Sequence, residues 1–158
     1  MYAIGSREPE VAIDANTEEN KKLYVQGGTV IAVGGLERGA SITGGTCKYT
    51  SSWTENTWHA LYNGGELVAA FQTPTKATGG SNPGGGGPGG NRPPGGGGGP
   101  GGSSGGSQQL VVYTSSTPSL TSGVTVSGGT EYFGGVANIG GTVSGGTSVS
   151  LSNYSSNK

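Results

Sequence analysis

From Leu23 the chain reads LYVQGGTVIAVGG: an apolar residue, a polar residue, then Gly-Gly-Thr. The same order returns as ITGGTCKY from Ile42, VSGGTEYF from Val126 and VSGGTSVS from Val143. Val25 and Ile42 stand 17 residues apart, and so do Val126 and Val143. A shared period of this kind is the mark of stacked units. Each unit supplies short strands with apolar side chains directed inward. Gly-Gly turns the corner, where one residue needs positive φ, and Thr opens the next strand, where a β-branched side chain packs well. A rung this short cannot hide its apolar face alone, so rungs must stack. The pattern predicts an all-β chain built as part of a parallel β-helix or solenoid, with Val25 over Ile42 and Val126 over Val143.

The same alternation occurs upstream in VAIDAN (Val11–Asn16), which reads as part of the preceding rung, with TEENKK following as a solvated loop. Residues 1–56 are therefore read as rungs. In WHALYNGGELVAAFQT (Trp58–Thr73) two apolar runs flank Asn-Gly-Gly-Glu, a strong hairpin turn signal. Residues 57–78 are read as an antiparallel hairpin capping the end of the solenoid, because a bare last rung is an exposed edge. Residues 79–107 contain 17 Gly and 5 Pro in 29 positions and no large apolar side chain. They cannot bury enough apolar area to offset backbone entropy and read as a flexible linker. Residues 108–158, rich in Ser, Thr, Val and Gly, read as a small separate β unit.

Composition supports strands and turns: Gly makes up 36 of 158 residues, charged residues 11% and hydrophobic residues 30%. The net charge of −1 and the scattered Lys and Arg give no phosphate-tracking stripe, so nucleic acid is not expected. The start, MYAIGSREPE, has no apolar run after a basic segment and is not a signal peptide. It opens in what reads as a strand, as a piece of a longer chain would. No apolar run approaches the ~20 residues of a membrane helix. One cysteine, Cys47, permits no internal disulfide.

Candidate chemistry is sparse. The single His59, Cys47 and Asp14 form no nucleophilic or metal-type spacing, so an enzyme is not expected. Asp14 and Asn16 follow a strand as Asp-x-Asn, which suits either an Asx turn or, with further oxygens from Glu10, Glu18 and backbone carbonyls, Ca²⁺. Both tryptophans, Trp53 and Trp58, fall in TSSWTENTWHALYNG beside Asn56, Tyr62 and Asn63. Flat aromatic faces among amides and hydroxyls suit sugar rings. The alternative is that the indoles pack the hairpin onto the last rung.

The stretch EVAIDANTEENKKLYVQGGTVIAVGGLERGAS closely resembles the C-terminal rungs of a bacterial family of carbohydrate-binding-domain proteins. Ala12–Asn16 match the first half of the family's repeat and Leu23–Val30 the second. GGLERGAS and SSWTENTWHALYNG resemble its C-terminal cap, and GVTVSGGTEYFGG…GGTVSGGTSVSLSNY its ending. The resemblance covers residues 1–73 and 110–154. It implies a secreted or surface right-handed parallel β-helix, Ca²⁺ in some acidic turns, and non-catalytic polysaccharide binding at the bacterial cell exterior. Two other readings stand beside it: a structural or adhesive surface module without a sugar site, and a polysaccharide lyase, for which the few dispersed basic residues are a poor basis. The glycan and the oligomeric state are not specified by any residue pattern.

Overall fold

The computed structural model describes residues 1–4, 11–15, 19–76 and 108–155. The Gly/Pro segment 79–107, expected as a linker, lies outside the described residues. The fold is all-β, in several sheets of which none closes, with no α-helix among the described residues.

The first half contains β1 (Tyr2–Ile4), β2 (Tyr24–Val25), β3 (Val30–Val33), β4 (Ser41–Ile42) and β5 (Thr46–Thr50). Two passes of this chain run side by side in parallel. Tyr2 pairs with Ile31 in β1/β3, an isolated bridge joins Ile13 to Leu36, and Val25 pairs with Ile42 in β2/β4. The 17-residue spacing of Val25 and Ile42 thus corresponds to a parallel neighbour. At the corner between β4 and β5, a Cβ on Gly45 would stand 2.6 Å from the Tyr113 hydroxyl and collide with the Thr114 carbonyl. Here the second glycine of the motif is required by close approach.

Next come β6 (Trp58–Asn63) and β7 (Glu66–Gln72), then β8 (Leu110–Thr114), β9 (Pro118–Ser122), β10 (Thr125–Ser127), β11 (Thr130–Tyr132), β12 (Ala137–Ile139), β13 (Thr142–Ser144), β14 (Thr147–Val149) and β15 (Ser152–Asn153). The hairpin β6/β7 forms with Asn63 opposite Glu66, across Gly64 and Gly65 at φ 60° and 91°, the two positive angles that Asn-Gly turns favour. It does not cap an edge. It occupies the middle of a six-stranded antiparallel sheet, β11-β12-β7-β6-β9-β14.

Nor do residues 108–158 stand apart. β8 enters antiparallel between β3 and β5, giving a five-stranded sheet β1-β3-β8-β5-β15. The reason lies in its sequence, LVVYT, which is apolar on both faces and buried throughout. Leu110 and Val112 join Ile31, Val33, Trp53, Leu61, Phe71 and Leu120 between the two large sheets. Val111 and Tyr113 join Val30, Ala32, Val25, Leu36 and Cys47 on the other side. A strand covered on both faces carries no polar alternation. Each such side chain contributes roughly 1.5–3 kcal/mol on burial.

Val126 and Val143 do pair, but antiparallel, in β10/β13. This departs from the expected parallel rungs. The pairs β9/β14, β10/β13 and β11/β12 belong to one long hairpin whose register is centred on Gly134–Gly135. The 17-residue spacing here is a reflection across that tip and not a repeat length. The hairpin bends at its Gly-Gly pairs. Its two ends flank β6 and β7, and its β10/β13 middle crosses the outer face as a strap. Thr121, Ala60, Ala70 and Asn138 form one row of paired residues on that face. Asn138 Nδ2 donates to the Gly128 carbonyl at 2.9 Å. A Cβ on Gly146 would stand 2.7 Å from Thr121 Cγ2. The strap therefore passes over Ala60 and Ala70, both buried, where larger side chains would lift it.

Candidate functional site

The residues expected to form a sugar site do not converge. Trp53 is 3% exposed and belongs to the core between the large sheets. Its Nε1 donates to the Gln108 carbonyl at 2.7 Å, and Lys76 Nζ lies 4.7 Å from its ring centroid. The indole holds the points where the chain leaves for residue 77 and returns at 108, and offers no free face. Trp58 and Tyr62 share the outer face of β6, half-buried on either side of Ala60 and so roughly 13 Å apart at about 3.3 Å per residue. Asn56 is exposed at φ 49° and its Oδ1 accepts from Thr75 Oγ1 at 3.1 Å. Asn63 Nδ2 donates to Ser115 Oγ at 3.0 Å, and its Oδ1 accepts from Ser116 N at 2.8 Å. That amide ties the β6–β7 turn to the β8–β9 turn.

Asp14 is exposed. Asn16, Glu10 and Glu18, its expected companions around Ca²⁺, lie outside the described residues. Among the described residues no three His, Cys, Asp or Glu side chains gather as a metal site would require.

The two groups most often used in catalysis are built into cores. Burial pushes the Cys47 thiol up to about 12, away from the thiolate a nucleophile needs. His59 stacks on Phe71 at 5.4 Å between centroids. Its Nδ1 lies 2.9 Å from the Thr57 carbonyl, which can only accept, so that nitrogen carries the proton and Nε2 is left buried without a partner among the described residues. Desolvation lowers its pKa from 6.5, with the Thr57 carbonyl acting in the opposite sense. The sign follows directly. Above 6.5 the ring is neutral in both folded and unfolded chains. Below it the unfolded chain takes up a proton that the folded chain refuses, so stability falls with pH. The melting temperature is expected to drop between pH 7 and pH 5, and His59→Phe, which keeps the stack, should flatten that slope. An equal slope in the variant would show that another group is responsible.

A concavity of about 780 Å³ lies between the two large sheets' ends. One wall is Tyr49, Thr50, Ser51, Ser52 and Thr54. The other is Thr147, Ser148, Val149, Ser150 and Ser152, with Ser122 also lining the groove. It opens where β14 and β15 are the edges of their respective sheets. No charged side chain lines it. Tyr49 is braced edge-to-face by Tyr154 at 6.2 Å. The groove offers hydroxyls that both donate and accept, plus one aromatic ring, and no general acid or base. The sequence reading missed these residues because SVSLS and YTSS look like ordinary strand text. Only their hydroxyl content could have signalled them. Among the described residues no helix is long and apolar enough to cross a membrane.

No family model, curated protein or solved structure matches the chain.

Proposed function

We propose that the chain is a non-catalytic polysaccharide-binding module of the bacterial cell exterior, and that the hydroxyl-lined groove beside Tyr49 receives the glycan. The observation that carries this reading is the lining itself: ten Ser, Thr and Tyr residues, one Val and no charge. Such a surface exchanges hydrogen bonds with a polyol at little desolvation cost, whereas an ionic ligand would find no counter-charge. A neutral polysaccharide is the ligand class. The parallel pairings of residues 2–42 support placing the first half in a β-helix, as the family resemblance implies.

A second reading, a structural or adhesive module, is favoured by the internal use of Trp53 and Asn63. Affinity electrophoresis separates the two. Retardation is expected in gels containing soluble β-glucan or xylan and not in gels containing polygalacturonate. Unchanged mobility in every gel would favour the structural reading.

A further inference from the structure

One pair of residues carries a reactivity that neither the cores nor the groove uses. Asn63-Gly64 is the single Asn-Gly step in the sequence. In such a step the backbone nitrogen after the asparagine is one ring closure from the side-chain amide carbon, and glycine adds no Cβ to obstruct it. Asn63 is half-buried at the end of β6, and Gly64 and Gly65 are exposed. The pair is not loose there. Asn63 Nδ2 donates to Ser115 Oγ at 3.0 Å, Asn63 Oδ1 accepts from Ser116 N at 2.8 Å, and Gly64 N donates to the Thr117 carbonyl at 2.9 Å. Asn63 also pairs with Glu66 across the hairpin and with Pro118 of β9.

These bonds clasp two turns together. The β8–β9 turn is where the chain passes from the five-stranded sheet to the six-stranded one. Each reacting group is engaged while the clasp is closed. Gly64 N, the nucleophile, is tied through its proton to Thr117, and both ends of the Asn63 amide are held by Ser115 and Ser116. The extended backbone at the strand end keeps Gly64 N turned away from the side chain. Ser115, Ser116 and Thr117 are all exposed, so the clasp opens by local fluctuation at far lower cost than global unfolding.

We propose that Asn63 is a site of spontaneous deamidation, gated by opening of this clasp, and that the isoaspartyl product leaves the two turns unfastened. In the open state Gly64 N gives its proton to solvent base and attacks Asn63 Cγ. The N–Cγ bond forms, the Cγ–Nδ2 bond breaks and Nδ2 leaves as ammonia, giving a succinimide. Water then opens the ring. Attack at Cγ restores the ordinary backbone with an aspartate side chain. Attack at the backbone carbonyl carbon of residue 63 gives an isoaspartyl link, in which the chain runs through Cβ and Cγ. The aspartyl product refastens, because its carboxylate accepts from Ser116 N and the Ser115 hydroxyl turns to donate. Repulsion from Glu66, opposite and exposed, is screened by solvent. The isoaspartyl product does not refasten. Its extra backbone methylene displaces Gly64 N from Thr117 and leaves a carboxylate on Cα in place of the side chain.

The test incubates the full chain in warm, mildly alkaline buffer, with and without concentrated urea, and follows residue 63 by peptide mapping. Conversion is expected in buffer, at least tenfold slower than in urea. Ser115→Ala removes the exposed acceptor of Nδ2 and should raise the rate in buffer at least threefold while leaving the rate in urea unchanged. Asn56, exposed and followed by the β-branched Thr57, is the internal control and should convert more slowly than Asn63 in urea. The isoaspartyl fraction, separated by chromatography, should melt below the parent, whereas Asn63→Asp should melt close to it. Equal rates in buffer and urea, or no conversion in buffer while the urea sample converts fully, would overturn the proposal. So would an unchanged rate in Ser115→Ala, or an isoaspartyl fraction that melts with the parent.

Discussion

Trp53→Ala is expected to destabilise the protein by about 3–5 kcal/mol, the range for deleting a buried large aromatic. Two effects contribute. The cavity would open between Leu110, Leu120 and Phe71, in the core that joins the two sheets. The Gln108 carbonyl would also lose its indole donor, at about 1–3 kcal/mol if no water reaches it. Lys76, exposed, can rehydrate, so its contact with the ring counts for little. For a chain of this size the melting temperature should fall by roughly 6–20 °C. Trp58→Ala, at a half-buried position beside the strap, should cost clearly less. Thermal unfolding followed by far-ultraviolet circular dichroism measures both. If Trp53→Ala melts like the parent, the indole is not the core residue described.

The second large effect concerns one glycine of the last repeat. Gly146 sits at φ 90°, and its added Cβ would stand 2.7 Å from Thr121 Cγ2 and from Val124 Cγ1 and 2.8 Å from the Ser122 carbonyl. Gly146→Ala therefore combines about 1–2 kcal/mol of left-handed strain with about 1–3 kcal/mol of overpacking beneath the strap. Its neighbour provides the control. Gly145, at φ 71°, has nothing within 4 Å of an added Cβ, so Gly145→Ala should show the strain alone. Urea denaturation of the pair is expected to separate them by at least 1 kcal/mol. Equal midpoints would mean that the strap does not lie against Thr121 and Val124.

How far the chain was legible can be judged at three places. The Asn-Gly-Gly-Glu stretch marked the hairpin correctly, because a two-residue turn is a local decision settled by residues that tolerate positive φ, here Gly64 and Gly65, with Asn63 closing the strand. Val25 and Ile42 marked a parallel pair correctly, because the chain between them is short and both ends are apolar. Val126 and Val143 had the same spacing and the opposite outcome. Nothing local distinguishes a repeat from its mirror image across a turn. The deciding partners, β6 and β7, are about 60–80 residues away in sequence. The insertion of β8 between β3 and β5 was equally invisible, since a fully apolar strand states that both faces are covered but not by what. The aromatic cluster misled for a related reason. Polar neighbours around Trp53 reflect the loop it sits on, while its ring is drawn into a core whose other members, Leu110 and Leu120, come from the far side of the Gly/Pro segment.

The groove beside Tyr49 depended entirely on this long-range assembly, since its walls come from residues 49–54 and 147–152. Titration calorimetry of the parent and of Thr147→Trp with a soluble neutral β-glucan tests its role most directly. Thr147 is exposed in β14, pairs with Ser122 on the side that lines the groove and contributes nothing to either core, so the indole is placed to fill the groove and leave the fold intact. The account predicts saturable heat for the parent, at least tenfold weaker binding for Thr147→Trp, and identical melting temperatures. Binding by Thr147→Trp at the parent's affinity, or no heat from the parent with any neutral glycan, would contradict it.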